Sequence, residues 1–318
     1  MSARLLRLFG LLLMLSALAV ALSRAPDRPV QSLVARWAPP PSDFIEVKGQ
    51  LVHLRDVGPR SDPAPVVLLH GTAASLHTWE GWTAVLGKTR RVIAFDLPGF
   101  GLTGPFAGRY APDDYRGDAY ARFVLDVMDA LKVSRAVIGG NSLGGEIAWR
   151  AVSLAPQRFE RLVLVDASGY ELAPDAVPLG FRIASIPVLN RIGEHLLPRA
   201  LIAQSVARVY GDPSKVTEPL VDRYFELTLR EGNRRALGLR MQQMEPGSHV
   251  DRLKALKLPT LVLWGGNDRL IPPALAQRFA ADIGGAKVIV FDGLGHVPQE
   301  EDPARTVQPV LEFLSGPV

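Results

Sequence analysis

The sequence predicts an α/β fold: a mostly parallel, doubly wound sheet with helices on both faces and a helical segment inserted into it. Three observations predict it. Val66 to Leu69, Val92 to Phe95, Ala136 to Gly139 and Leu162 to Val165 are nearly continuous apolar runs, as expected of strands covered on both sides. Helical patterns such as Asp118 to Leu131 alternate with them, as in strand–helix–strand crossovers. After Ser168-Gly169 the alternation fails for about 80 residues and then resumes.

The elements follow in chain order. Arg4 and Arg7 precede Leu8 to Leu22, 15 residues without a charge, a length between a signal-peptide core and a membrane span. Counted from Leu5, with Arg7 snorkelling, the stretch reaches 19 residues. Residues 1–23 therefore read as a signal peptide or membrane anchor, and small residues at Ala17, Ala19, Ala21 and Ser23 offer no clear cleavage point. Retention as an anchor is the expectation, with the domain on the periplasmic side of the cell inner membrane. Release after signal cleavage, to the periplasm or outside the cell, is the alternative. In residues 24–42, Pro26, Pro29 and Pro39-Pro40-Pro41 predict an extended linker that lets the domain stand off from the surface. Trp37 is free in this reading to meet either the membrane interface or the domain.

Phe44 to Val47 and Leu51 to Leu54, joined by Lys48-Gly49-Gln50, predict an antiparallel hairpin. The alternation Leu51, His53, Arg55 places His53 toward solvent. The core is expected over residues 43–170 and 251–318, the helical insertion over 171–250. Within the insertion, Leu197 to Val209 and Glu218 to Leu237 are helical in pattern, with breaks at Pro187, Pro198 and Pro213. Phe181, Ile183, Ile186, Val188 and Leu189 admit packing or a pocket role, and packing is expected for most of them. Beyond it, Pro259 to Trp264 and Lys287 to Phe291 read as strands flanking a helix over Ala274 to Ile283.

Charge and composition exclude some functions. The chain has 318 residues and 47% apolar content, enough for one large domain with an insertion. Its pI of 9.5 comes from the N-terminus: residues 1–40 hold five Arg and one Asp, and the remainder balances 31 basic against 31 acidic residues. A neutral folded part without a basic aromatic stripe carries no nucleic-acid footprint. Having no cysteine, the chain makes no disulfide, thiolate metal site or lipid-modified leader cysteine.

The chemistry gathers at Gly140-Asn141-Ser142-Leu143-Gly144, directly after one apolar run and before the helical pattern Leu143, Ile147, Ala151, Leu154. A serine on a strand-to-helix turn needs small neighbours, and the turn presents its hydroxyl at the positive end of a helix. Two partners lie just past later strands: Asp268 in Gly265-Gly266-Asn267-Asp268 and His296 in Gly293-Leu294-Gly295-His296. In open parallel sheets that edge binds ligands. Asp166, at the end of Leu162 to Val165, competes with Asp268 for the acid's role.

Together with His70-Gly71-Thr72, Asp96-Leu97-Pro98-Gly99-Phe100-Gly101, Gly265 to Pro272 and Gly295 to Pro303, these motifs give a chain that resembles the α/β-hydrolase superfamily over residues of about 43 to 318. The order Ser142, Asp268, His296 is that fold's nucleophile, acid and base. The resemblance implies Ser142 as nucleophile, His296 as general base and acid, and Asp268 as the group that orients and stabilises the imidazolium. It implies an oxyanion hole from the backbone N–H groups of Thr72 and Leu143, with Ala73 as the alternative to Thr72. It makes His70 structural and Asp96 a loop-fixing residue. The insertion becomes a cap over the site. His77 and Trp79 are placed near the pocket or in the core, and His195 and His249 at the entrance or without a role.

The function expected is a membrane-tethered or exported serine hydrolase acting on carboxylic esters through an acyl-enzyme. It takes a small, apolar ester, and needs no metal or organic cofactor. A serine rather than an aspartate at the turn argues against the dehalogenase and epoxide-hydrolase branches. Carbon–carbon bond hydrolases, perhydrolases and thioesterases of the same fold are the enzymatic alternatives. A membrane-tethered binding module that has lost its chemistry is the alternative of another class, and the complete triad speaks against it.

Overall fold

The computed structural model describes residues 3–171 and 179–316. Eight strands form one sheet in the order β1-β2-β4-β3-β5-β6-β7-β8. They are β1 (Ser42–Val47), β2 (Gln50–Val57), β3 (Val66–Leu69), β4 (Val92–Phe95), β5 (Ala136–Asn141), β6 (Phe159–Val165), β7 (Thr260–Gly265) and β8 (Lys287–Phe291). The hairpin β1–β2 turns through Lys48 and Gly49, both at positive φ, the geometry a two-residue hairpin needs. β2 runs antiparallel to β4, and from β3 to β8 every pairing is parallel.

Strand side chains alternate between two cores. Val67, Leu69, Ile138, Leu164, Val262 and Trp264 face α4 (Gly117–Ala130), α5 (Leu143–Leu154) and α11 (Ala274–Ile283). Leu68, Val137, Val163, Val165 and Leu263 face α3 (Glu80–Leu86) and α13 (Pro303–Ser315), where Trp79 and Trp82 are fully buried. Burial on both sides is why these strands read as unbroken apolar runs. The fold is the expected α/β-hydrolase architecture, and its strand bounds fall within a few residues of those expected.

The insertion carries α6 (Leu179–Ser185), α7 (Pro187–Gly193), α8 (Arg199–Val209), α9 (Glu218–Thr228) and α10 (Asn233–Gln242). Residues 172–178 of the expected cap lie outside the described residues. The single helix expected over Glu218 to Leu237 is two helices, because Gly232 sits at φ 82° and turns the chain between them. α12 (Pro298–Glu301) follows β8.

The N-terminus departs from expectation. The leader is a helix, α1 (Ala3–Ser23), whose Phe9, Leu11, Leu12, Leu13, Met14, Leu15, Leu18 and Val20 are exposed. Among the described residues no helix is long and apolar enough to cross a membrane. At about 1.5 Å per residue, Leu8 to Leu22 cover about 22 Å of a hydrocarbon core about 30 Å thick. The transmembrane span expected from the leader is therefore not met.

The segment after it is not a free linker either. Prolines bracket a stretch that has none, and there α2 (Gln31–Trp37) forms with Leu33 buried against Leu102 and Leu227. The Ala25 N–H donates to the His195 carbonyl at 3.0 Å, and the Leu197 N–H to Ser23 at 2.8 Å. Asp27 pairs with Arg234, Arg28 with Glu226, and Arg36 with Asp222 and Glu226. Trp37 donates its Nε1–H to Glu226 at 2.7 Å, which settles it on the domain. Residues 23–37 thus strap the cap to the core.

Leu33→Ala in the full chain should lower the unfolding free energy by about 2–3 kcal/mol, the usual cost of a buried leucine. Urea denaturation reads this directly, and an undocked linker would show no change.

Candidate active site

Five loops leave the carboxyl edge of the sheet side by side. Thr72 follows β3, Ser142 follows β5, Asp166 ends β6, Asp268 follows β7 and His296 follows β8. Ser142 sits between β5 and α5 at φ 55° and ψ −118°, a conformation that costs about 1–3 kcal/mol and persists only where its surroundings enforce it. They do so here. Its N–H donates to Val165 at 3.0 Å, and its carbonyl accepts from Glu146 and Ser168. A Cβ on Gly140 would strike the Gly144 backbone, and one on Gly144 would strike the Leu69 carbonyl, so both positions require glycine.

The strain sets the serine at the N-terminus of α5, facing a cavity. The Leu143 side chain is buried in the core, and its N–H is the first of α5, one of the four that a helix leaves without an internal partner. Across the cavity, His70 fixes the loop that carries Thr72. Its Nε2 accepts the Leu97 N–H at 2.9 Å, which leaves Nδ1 to donate to the Gly71 carbonyl at 2.7 Å. Ala73 stands at φ 57°, and both it and Thr72 line the cavity beside Ser142.

His296 Nδ1 lies 2.7 Å from Asp268 Oδ2, with both side chains buried. Asp268 Oδ1 accepts the N–H groups of Leu270 and Ile271 at 2.7 and 3.0 Å. A carboxylate so placed selects the Nδ1–H tautomer and leaves Nε2 as the proton acceptor. His296 lines the cavity with Ser142, but no hydrogen bond joins Ser142 Oγ to the ring. Such bonds commonly tighten only when substrate binds.

Three supports were invisible as such in the sequence. Asn141 Nδ2 donates to the His296 carbonyl at 2.9 Å and to Val165 at 3.2 Å, tying the serine turn to the histidine loop. Its only signal was its place inside the Gly-x-Ser-x-Gly turn. Glu301 is buried and accepts from the N–H groups of Gly211, Asp212 and Gly295, clamping cap and histidine loop together. Glu300 pairs with Arg223 and accepts from Tyr224, joining α9 of the cap to α12. Burial alone would raise the Glu300 carboxyl, but Arg223 and its hydrogen bonds hold it below the usual range.

The remaining histidines separate cleanly from the site. His53 is not toward solvent but fully buried, with Nδ1 at 2.7 Å from Asp96, because the loop after β4 covers that face of β2 through Asp96 and Thr103, and His77, itself bonded to Trp37 of the strap, packs beside its ring. Asp96 fixes loops, accepting from Leu76 and Leu102. Burial opposes its charge, yet His53, His70 and His77 hold its carboxyl well below the usual range. His77 bonds Ser75 and the Trp37 carbonyl rather than lining the pocket, and burial pushes its imidazole down to about 4. Trp79 packs in the core, and His195 and His249 are exposed and outside the cavity wall.

The cavity encloses about 450 Å³. Phe181, Ile183 and Leu189 line it, whereas Ile186 and Val188 are exposed, so three of the five apolar cap residues face the cavity where packing was expected for most. Ile192, Leu201, Ile202, Val206, Leu237 and Leu270 complete an apolar wall. The one arginine in the described lining, Arg234, gives Nε and one terminal nitrogen to Asp27 and the other to the Gly193 carbonyl.

Asn141→Ala should slow covalent labelling of Ser142 by a fluorophosphonate about tenfold, the cost of roughly one positioning hydrogen bond. A time course of labelling at fixed probe concentration measures it. An unchanged rate would remove the tether from the site's construction.

Comparison with known proteins agrees with this geometry. A family model described as "alpha/beta hydrolase fold" matches residues 64–303. An uncharacterised protein of Mycobacterium tuberculosis is 32% identical over 308 residues, covering 90% of this chain and 84% of its own length. The 2-hydroxymuconate semialdehyde hydrolase of Pseudomonas sp. (strain CF600) is 28% identical, covering 79% of this chain and 87% of that protein. Among solved structures, the meta-cleavage product hydrolase of Pseudomonas fluorescens IP01 matches with a TM-score of 0.73 at 27% identity, over 86% of this chain and 97% of that one. With a family model matching residues 64–303 and a sheet of the matching kind, the chain belongs to the α/β-hydrolase family.

Proposed function

We propose that the protein is a serine hydrolase that cleaves carboxylic esters of apolar acids. Ser142 Oγ attacks the ester carbonyl as His296 Nε2 takes its proton. The N–H groups of Leu143 and Thr72 stabilise the oxyanion, each worth about 3 kcal/mol. His296 then returns the proton to the leaving alcohol, and a water activated by the same ring releases the acid from the acyl-enzyme. Asp268 holds the ring's tautomer and balances its charge. The observation that carries the ester reading is the cavity wall: mostly apolar along the cap, with the one arginine of the described lining already paired with Asp27.

A second reading is carbon–carbon bond hydrolysis, favoured by the likeness to hydrolases named for such substrates. Those named substrates include carboxylates, as in 2-hydroxymuconate semialdehyde, and a buried carboxylate demands a partner. Arg234 could serve one only by leaving Asp27, which weighs the choice toward an uncharged ester.

The N-terminus supports attachment to a membrane. α1 exposes apolar side chains on every described side, and its end at Ser23–Ala25 is bonded to His195 and Leu197 at the cap. In this reading α1 sinks into lipid without crossing it, on the periplasmic face of the inner membrane. The strap holds the cap near that surface.

A panel of esters of graded acyl length, with one meta-cleavage product beside them, tests the chemistry. Medium or long acyl esters should be preferred, and Ser142→Ala should lose turnover by at least about 10³-fold with folding intact. A Ser142→Ala enzyme near wild-type rates would overturn the mechanism. Preference for the meta-cleavage product would turn the reading to carbon–carbon cleavage.

For the location, fractionation of a bacterial host should place the full-length chain in the membrane pellet, accessible to protease in spheroplasts. Deleting residues 1–22 should release it. A full-length chain in the soluble cytoplasmic fraction would defeat the reading.

A further inference from the structure

Behind the triad lies a buried carboxyl that the reaction above does not use. Asp166 is fully buried, at φ 44°, with its N–H on Leu263 and its Oδ1 accepting the Gly265 N–H at 2.9 Å. Its Oδ2 is buried with no hydrogen-bond partner. One oxygen of Asp166, one oxygen of Asp268 and one ring nitrogen of His296 all lie within 4.8 Å of one another.

The groups facing Asp166 decide its charge. From the loop after β7 comes Asp268, and from α12 comes Glu301, both acidic; from the loop after β8 comes His296, whose Nδ1 is already given to Asp268. Among the described residues Asp166 forms no ion pair with Lys or Arg. An ionised Asp166 would add an uncompensated negative charge beside a second carboxylate at a fully buried position, which is strongly disfavoured. A neutral one has an O–H to donate. Asp268 has four lone-pair sites, and two N–H groups and the imidazole occupy three. One remains open, on the Oδ2 that also faces His296, and an oxygen of Asp166 lies within 4.8 Å of an oxygen of Asp268. Burial first, and then the charge of Asp268, push the Asp166 carboxyl well above its usual range, which agrees with this arrangement.

We propose that Asp166 is a protonated acid that donates its O–H to Asp268, so that the two aspartates act on His296 as one acid carrying one negative charge and one shared proton. Asp166 is then a positioning residue: it fixes the Asp268 carboxylate and spreads its charge without touching substrate. A second consequence follows. When Asp268 is replaced by Asn, the neighbouring negative charge that keeps Asp166 protonated is gone, so Asp166 gives up its proton through the active-site cavity and becomes the anion facing His296 from within 4.8 Å. The inference rests on the triad reading, whose own failure would show separately as an active Ser142→Ala.

Four full-length proteins test it: wild type, Asp166→Asn, Asp268→Asn and the double variant, compared in kcat on the best ester and by infrared spectroscopy at neutral pH. Asp166→Asn keeps a donor and should lose only about two- to threefold. Asp268→Asn should lose about 10²-fold, and the double variant about 10⁴-fold, well beyond the product of the singles. Wild type should show the carbonyl stretch of a buried protonated carboxylic acid, absent in Asp166→Asn. The proposal is overturned if that band is missing, or if Asp268→Asn alone costs as much as the double variant. The infrared comparison needs only Asp166→Asn, so it decides the matter even where Asp268→Asn does not fold.

Discussion

The backbone of Ser142 is the constraint on which the rest of the site depends. A non-glycine residue at φ 55° is held against its own preference, and every neighbour contributes to holding it. Val165 and Ser168 of the next strand and loop bond its backbone, and Gly140 and Gly144 clear the space. Asn141, its predecessor, carries the same order outward to the His296 carbonyl. Strain at one residue is thereby converted into registration of three loops, the farthest of them 155 residues away in the sequence.

Electrostatics at the edge of the sheet is arranged in acidic layers with different jobs. Glu301 spends its charge on three backbone N–H groups, Asp268 spends its own on two N–H groups and one imidazole, and Asp166 has neither cation nor helix end to spend it on. A carboxylate fully occupied by backbone donors is a fixed dipole-satisfied anchor. One facing an imidazole is a charge reserve for the protonated ring. The same residue type serves as clamp, partner and proton store because its neighbours differ.

The cap is held by polar contacts while its inner face stays mostly apolar. Arg223 with Glu300 joins it to α12, and the N-terminal strap binds it through Asp27 and Arg28. A largely buried pair such as Arg223–Glu300 adds little net stability but forbids alternative docking, because breaking it leaves a bare charge. The polar side chains that line the cavity at the cap are largely tied to the protein itself, Tyr224 to Glu300, Ser205 to the Leu201 carbonyl and Arg234 to Asp27. Arg234 illustrates the economy: its charge fastens the strap and is withdrawn from the cavity in the same contact.

Local pattern determined a great deal. Nearly continuous apolar runs and helical runs between them named the strands, and glycine spacing at Gly140 and Gly144 named the turn, because both signals lie within a few residues of each other. The order of Ser142, Asp268 and His296 past three strand ends matched the fold's nucleophile, acid and base, but Asp166 fits the same order, and only the contact of Asp268 with His296 Nδ1 separates the two acids. What lay beyond reach was decided by contacts between distant segments. His53 alternates like a solvent-facing residue, yet Asp96, Thr103 and His77 cover it. The proline-flanked segment read as a linker because proline content reports local stiffness, whereas docking depends on Leu33 meeting Leu102 and Leu227. Charge on the leader likewise predicted membrane affinity but not the length of a crossing. Whether Arg234 is free for a ligand, and whether Asp166 carries a proton, depends on which side chain stands within a few ångströms, and only the tertiary structure brings Asp27 and Asp268 there.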